Sequence, residues 1–236
     1  MKLENVTESG RAVAKRRYDD ACGTAHALDL IGERWALLVM RELMLGPKRF
    51  SDIRVDLPGI SANVLTQRLE GLEAAGLLVR RRLPPPANAQ VYELTPWGYE
   101  AEPIVQSLGR WAARSPAHDP TLPISPVSLM LSFRTMFDAG RARGLDARIG
   151  FRLGAESFLA RIADGRLEVE RAEPAEADAI FTGTSAALAA AIYGGQPLPA
   201  LAEAGLLAVD GDQAVVERFL TLFPLPPKVG EAAPLA

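Results

Sequence analysis

Two rhythms of apolar residues divide this chain. Between Phe50 and Gly76 they recur at helical spacing, and beyond Ala147 they alternate. In the first zone Phe50-Ser51-Asp52-Ile53 predicts a short helix, Pro58-Gly59 breaks the pattern, and Ser61 opens a second helix. Ser61 suits an N-cap because its hydroxyl accepts from an unpaired amide of the first turn. Ala62, Leu65, Leu69, Leu72 and Gly76 then fall on one inward stripe. Asn63, Gln67, Glu70 and Ala74 are left outward, with Val64 and Thr66 on the flanks. Leu77 to Leu83 reads as a strand, residues 84–89 as a proline-rich turn, and Gln90 to Leu94 as the returning strand.

In the second zone Val127 to Phe137 reads as a helix. Ala147, Ile149, Phe151 and Leu153 alternate, as do Phe158, Ala160 and Ile162, then Leu167 and Val169. These predict short strands with one apolar face, and Asp164-Gly165 is a tight turn between two of them. Ala179 to Gly183 predicts another strand, Ser185 the cap of an apolar helix through Ile192, and Asp212 the start of a last helix through Leu222. Helices against an antiparallel sheet make the fold class α+β. Pro116, Pro120, Pro123 and Pro126 crowd the junction between the zones. The expected organisation is an N-terminal arm over 1–19, a first domain over 20–116, a linker over 117–125, a second domain over 126–226 and a tail over 227–236.

Helix, turn, helix and basic hairpin, in that order, predict a winged helix-turn-helix that reads double-stranded DNA. Asn63 and Gln67 carry side chains able to pair bidentately with an adenine edge in the major groove. Ser61, Asn63, Thr66 and Gln67 lie in the N-terminal half of the second helix, where reading helices meet bases. Arg68 on its flank suits a phosphate. Arg80, Arg81 and Arg82 alternate along the first hairpin strand, so one or two reach the outer side and add a salt-dependent clamp on phosphate. Read blandly, the helix is an ordinary surface helix and the arginines a solvated edge-strand run.

Residues from about Asp20 to Ala113 resemble the HxlR-type, MarR-like winged-helix transcription regulators. The elements that carry the resemblance are Cys22, Ile31-Gly32-Glu33-Arg34-Trp35, Arg41-Glu42-Leu43, Gly46-Pro47-Lys48-Arg49-Phe50-Ser51-Asp52-Ile53, Gly59-Ile60-Ser61, Leu65-Thr66-Gln67-Arg68-Leu69, Leu72, Gly76-Leu77, and Tyr92-Glu93-Leu94-Thr95 with Gly98. Val91 and the prolines of the wing turn depart from the pattern. The resemblance implies a homodimer on a roughly palindromic operator. The dimer helices would lie around Ala21 to Ile31 and from Pro96 to Ala113. It also makes Cys22 a candidate redox or electrophile sensor. The permissive feature is its place at a predicted helix start, although Asp19 and Asp20 oppose a thiolate and a small buried residue is the plainer reading.

Residues from about Ser125 to Pro226 resemble the sterol-carrier-protein-type lipid-transfer fold. The matching pieces are Ile162-Ala163-Asp164-Gly165, Ala177-Asp178-Ala179-Ile180-Phe181, Tyr193-Gly194-Gly195 and the run from Ala204 to Asp212. That likeness implies an apolar tunnel for a small hydrophobic ligand, with Phe151, Phe158, Phe181, Tyr193 and Leu206 as candidate lining. Each of these is also a plain core residue by type.

Composition narrows the partners. The chain has 236 residues, 48% hydrophobic, enough for two cores. No apolar run approaches the roughly 18 residues that cross a membrane, the first residues are polar, and a single cysteine allows no internal disulfide. A cytoplasmic location is expected. Net charge is −3, yet residues 1–117 hold 16 basic and 14 acidic side chains and the remainder 10 and 15. DNA binding would therefore rest on a local basic patch. Arg11, Lys15, Arg16 and Arg17 form a second cluster, suited either to an arm on DNA or to a solvated tail. His26 and His118 are the only histidines, and no phosphate loop, metal-ligand cluster or nucleophile elbow is present. No enzyme activity, catalytic residue, metal or cofactor is expected. The chain reads as a dimeric DNA-binding regulator, a repressor rather than an activator, with a ligand-sensing second half. The rival is a lipid carrier whose winged helix serves only dimerisation or protein contact.

Overall fold

The computed structural model describes residues 18–230. The basic cluster Arg11, Lys15, Arg16 and Arg17 and most of the expected arm lie outside them. The described chain is α+β, a winged helix-turn-helix followed by a sheet with helices.

The first half runs α1 (Gly23–Ile31), α2 (Ala36–Leu43), α3 (Phe50–Asp56), α4 (Ala62–Ala74), β1 (Leu78–Arg82), β2 (Gln90–Leu94), α5 (Pro96–Tyr99) and α6 (Glu102–Ala112). Ser61 caps α4, its hydroxyl accepting from the Val64 amide at 3.3 Å. Leu65, Leu69 and Leu72 are buried on the inward stripe of α4 against α2, which contributes Val39, Met40 and Leu43. Gly76 stands past the helix end, exposed rather than on the stripe. Gly59 takes φ +92° in the turn between α3 and α4, a backbone that L side chains rarely adopt. β1 and β2 pair antiparallel, Arg80 opposite Tyr92 and Arg82 opposite Gln90, and Lys48 adds a bridge to Tyr92.

The helix expected from Pro96 to Ala113 is two helices. Pro103 has no amide to give the Tyr99 carbonyl, so the chain turns at Glu100 and Ala101 and restarts as α6.

The second half runs α7 (Pro126–Met136), β3 (Ala147–Leu153), β4 (Glu156–Ala163), β5 (Arg166–Glu170), β6 (Ala179–Gly183), α8 (Ser185–Tyr193), α9 (Leu198–Glu203), β7 (Leu207–Gly211) and α10 (Gln213–Leu220). The sheet order is β5-β4-β3-β6-β7. It is mixed, not antiparallel as expected, because β6 runs parallel to β3. After β5 the chain crosses one sheet face to the far side of β3. It passes so close over Gly150 that an added Cβ would lie 2.3 Å from the Pro174 Cβ. The cap of α8 is Thr184, which accepts from the Ala187 amide at 3.1 Å, and not Ser185. Ser185 instead donates to the Ile124 carbonyl at 2.5 Å. Asp212 caps α10 as expected.

The core of this half is aromatic. Phe133 of α7, Phe151 of β3, Phe181 of β6 and Phe219 of α10 are fully buried with neighbouring Phe223. Phe133 and Phe223 stack at 4.5 Å, Phe151 and Phe181 at 5.9 Å, and Phe219 meets Phe133 edge-on at 5.6 Å.

Buried charge joins the two halves. The Lys48 side chain, 2% exposed, holds Glu42 of α2 at 3.4 Å, Asp56 of α3 at 2.5 Å and Glu156 of β4 at 3.1 Å. Ser125 donates to Glu42 at 2.8 Å. Arg171 pairs with Glu156 and donates to the Leu45 carbonyl at 3.3 Å. Arg134 of α7 pairs with Glu102 of α6 at 2.6 Å.

Candidate nucleic-acid interface

The outward face of α4 is set by its inward one. With three leucines fixed inside, Ser61, Asn63, Thr66, Gln67 and Glu70 are exposed together. The cap, the three leucines and the exposed amides sit as the sequence predicts, and Val64 on the flank packs against the core. Arg68 differs. It is half-buried, pairs with Glu33 at 3.2 Å, and leaves its Nε buried without a partner. It anchors α4 to the segment before α2 and is not presented to a phosphate as expected.

All three wing arginines are exposed, and each is already held in place. Arg80 pairs with Glu73 at 3.4 Å and lies 5.5 Å over the Tyr92 ring. Arg81 pairs with Glu93, and the Arg82 Nε donates to Asn88 at 2.8 Å. Carboxylates on two of them leave one of the three positive charges of the sequence run unmatched. Free positive charge lies elsewhere: Arg49 and Arg54, at the start and last turn of α3, are exposed and form no ion pair with the described residues. Sequence reasoning passed over both, although they flank the helix before the reading helix. Lys48, next to Arg49, is internal. Burial works against its ammonium, but Glu42, Glu156 and Asp56 outweigh burial and hold its pKa above the usual lysine value. Burial pushes the Asp56 carboxyl up, against the pull of Lys48.

Cys22 is exposed, not buried, and stands at the N-cap of α1. The backbone amides of Thr24 and then Ala25 hold its thiol below the usual cysteine value. His26 and His118 are exposed and far apart in the chain. Among the described residues no group of three His, Cys, Asp or Glu is placed to hold a metal ion, and no helix is long and apolar enough to cross a membrane.

The five candidate ligand-lining residues do not surround a shared space. Phe151, Phe158 and Phe181 are fully buried, and their rings pack against other side chains. Burial pushes the Tyr193 phenol up, and the phenol is tied to the Ser132 hydroxyl. Leu206 is 47% exposed. The phenylalanines that the sterol-carrier likeness implied as tunnel lining pack into the interior.

α6 buries no residue, although Ile104, Leu108 and Trp111 share one face of it at helical spacing. Trp97 of α5 is exposed nearby in sequence, and Leu28 of α1 is exposed too.

Two family models match successive stretches of the chain. A family model described as HxlR-like helix-turn-helix matches residues 30–119, and one described as alkyl sulfatase C-terminal matches residues 124–228. The second is the family found where the sequence suggested a sterol carrier. The uncharacterized HTH-type transcriptional regulator YvaP of Bacillus subtilis is 36% identical over 86 residues, covering 36% of this chain and 80% of YvaP. The HTH-type transcriptional regulator YodB of Bacillus subtilis is 37% identical over 86 residues, covering 36% of this chain and 77% of YodB. Among solved structures, the stereoselective inverting sec-alkylsulfatase Pisa1 from Pseudomonas sp. covers 41% of this chain and 16% of its own, at 19% identity and a TM-score of 0.38. With winged-helix geometry and sequence likeness in agreement over the first half, the chain belongs to the HxlR-like helix-turn-helix family.

Proposed function

We propose that this chain is a homodimeric, sequence-specific DNA-binding transcriptional regulator acting in the cytoplasm, with no catalytic activity of its own. One observation carries the reading: a capped helix, anchored by buried leucines, presents Asn63, Thr66 and Gln67 to solvent and is followed by an arginine-bearing wing. Those amides suit adenine edges in the major groove, and the wing arginines with Arg49 and Arg54 suit phosphates. The relatives' names, which call them transcriptional regulators, support it. The bare apolar face of α6, with Leu28 of α1, is the dimer surface of this reading. Two copies joined there present two reading helices to a two-fold symmetric operator. Repression is the simplest output, since it needs occupancy of the operator and nothing more.

In this account the second half controls the first through a small apolar ligand, and the charged clasp at Lys48 transmits the change. Control of this kind needs a ligand that prefers one of the DNA-competent and incompetent states. Cys22, exposed at a helix start, is a second input of redox or electrophile type at a dimer helix. A carrier protein that uses its winged helix only for protein contact would require a tunnel, and the stacked phenylalanines of the core favour the regulator reading.

Selection of bound duplexes from a random DNA library tests the reading. A two-fold symmetric motif is expected to emerge with the purified protein. Recovery of unrelated sequences with no enriched motif sinks sequence-specific regulation.

A further inference from the structure

A cleft of about 550 Å³ opens where the helix-turn-helix meets the linker and the start of α7. Its first wall is Trp35 and Leu38 before and within α2, then Val55, Leu57 and Pro58 at the end of α3 and the turn into α4. Its second wall is Pro123 and Ile124 of the linker with Pro126 at the start of α7. Val55 is 79% exposed and Leu38 39%, so the first wall presents apolar surface that no side chain of the described chain covers. The volume suits a ligand of small-molecule size.

The polar groups of the cleft define what would enter. Its two charged residues are already matched inside, Arg41 by Glu42 at 2.7 Å and Asp56 by Lys48 at 2.5 Å. No charge is left to draw in an ion. The hydroxyls of Ser125 and Ser185 have given their protons to Glu42 and to the Ile124 carbonyl, so each offers lone pairs only. Those two acceptors suit a molecule with an apolar body, no net charge and a hydrogen-bond donor, and the Ser128 side chain also lines the cleft.

Position ties the cleft to the reading helix. Trp35 holds φ +79°, a left-handed backbone that is costly for a bulky residue. That backbone sets its ring edge over Gly59, where an added Cβ would meet the ring at 3.9 Å. Gly59 belongs to the turn that seats Ser61, the cap of α4.

We propose that this junction cleft binds a small, uncharged, largely apolar molecule bearing a hydrogen-bond donor, and that its occupancy is felt at α4 through Trp35 and the Pro58-Gly59 turn. The inference rests on the ligand-controlled regulator above and moves the site from the interior of the sheet domain to the seam between the two halves.

N-phenyl-1-naphthylamine is a suitable probe, being uncharged, aromatic, fluorescent and an N–H donor. It is titrated into the full-length protein without DNA, with tryptophan excitation used to detect energy transfer from Trp35. Saturable binding is expected, with transfer that drops in Trp35→Phe. Val55→Trp fills the cleft from an exposed position and Leu38→Glu charges its wall. Each should weaken the probe by about tenfold or more, whereas Leu206→Glu, on an exposed residue outside the cleft, should leave binding intact. Probe binding that is unchanged in both cleft variants places the ligand elsewhere and overturns the site while leaving a ligand-controlled regulator standing. Absence of saturable binding to the unaltered protein overturns the site as well. DNA binding, measured separately, decides the regulator reading on its own.

Discussion

Asn63 and Gln67 are the residues on which sequence preference should turn. They stand one helical turn apart, both exposed, on a helix fixed by Leu65, Leu69 and Leu72. Asn63→Ala and Gln67→Ala should each lose about 1–3 kcal/mol of discrimination at one base position while leaving binding to random duplex nearly unchanged. Equal losses on selected and random duplexes would remove them from the groove. Lys48 has the opposite character, a buried cation that faces three carboxylates. Lys48→Met takes from half-buried Asp56 the one cation it pairs with among the described residues, and should destabilise the protein by about 3–5 kcal/mol, read as a lowered midpoint in denaturant. Cys22 makes a pH statement. Its pKa lies below the ordinary value, so thiolate is present at lower pH than in a free cysteine. Its alkylation rate should therefore reach half its plateau below about pH 8.5. A half-point at or above that value removes the α1 amides as a cause of reactivity.

Among the elements, α6 and the wing carry the predictions on assembly and affinity. α6 is amphipathic yet buries none of its own residues, and on the proposed reading its apolar face joins two copies. Leu108→Glu should give a monomer in sedimentation equilibrium, and a persisting dimer would move the interface off α6. In the wing, Arg81→Ala should weaken all DNA sequences alike and make the salt dependence shallower by about one ion. Local pattern made these elements readable: Ser61, Pro58-Gly59 and the leucine stripe fixed α4, and Asp164-Gly165 fixed the turn between β4 and β5. What local pattern does not carry is pairing. Alternation in Ala179 to Gly183 shows a strand, but nothing in it says that the strand runs parallel to β3. β7 and α9 are too short and too rich in small residues to declare themselves.

At the scale of the molecule, the candidate site was legible where neighbours in sequence make it, and illegible where distant ones do. The reading face comes from one helix. The clasp at Lys48 draws on Glu42, six residues away, Asp56, eight away, and Glu156, 108 away. Arg68 and the wing arginines looked free because Glu33, Glu73 and Glu93 meet them only after folding. The phenylalanines that a family likeness implied as tunnel lining are residues of the core, since an apolar inward face has the same pattern in either case. The seam between the halves, by contrast, has no sequence signature at all, being built from the ends of α3, the linker and α7.

The central claim is DNA reading by α4, and fluorescence anisotropy tests it most directly. The protein is titrated into a labelled duplex carrying the selected motif and into its scrambled counterpart, over a series of salt concentrations. The account predicts a selected duplex bound at least about a thousandfold more tightly than the scramble, with affinity for both falling steeply as salt rises. Equal affinity for the two duplexes, or no binding at any salt, contradicts it.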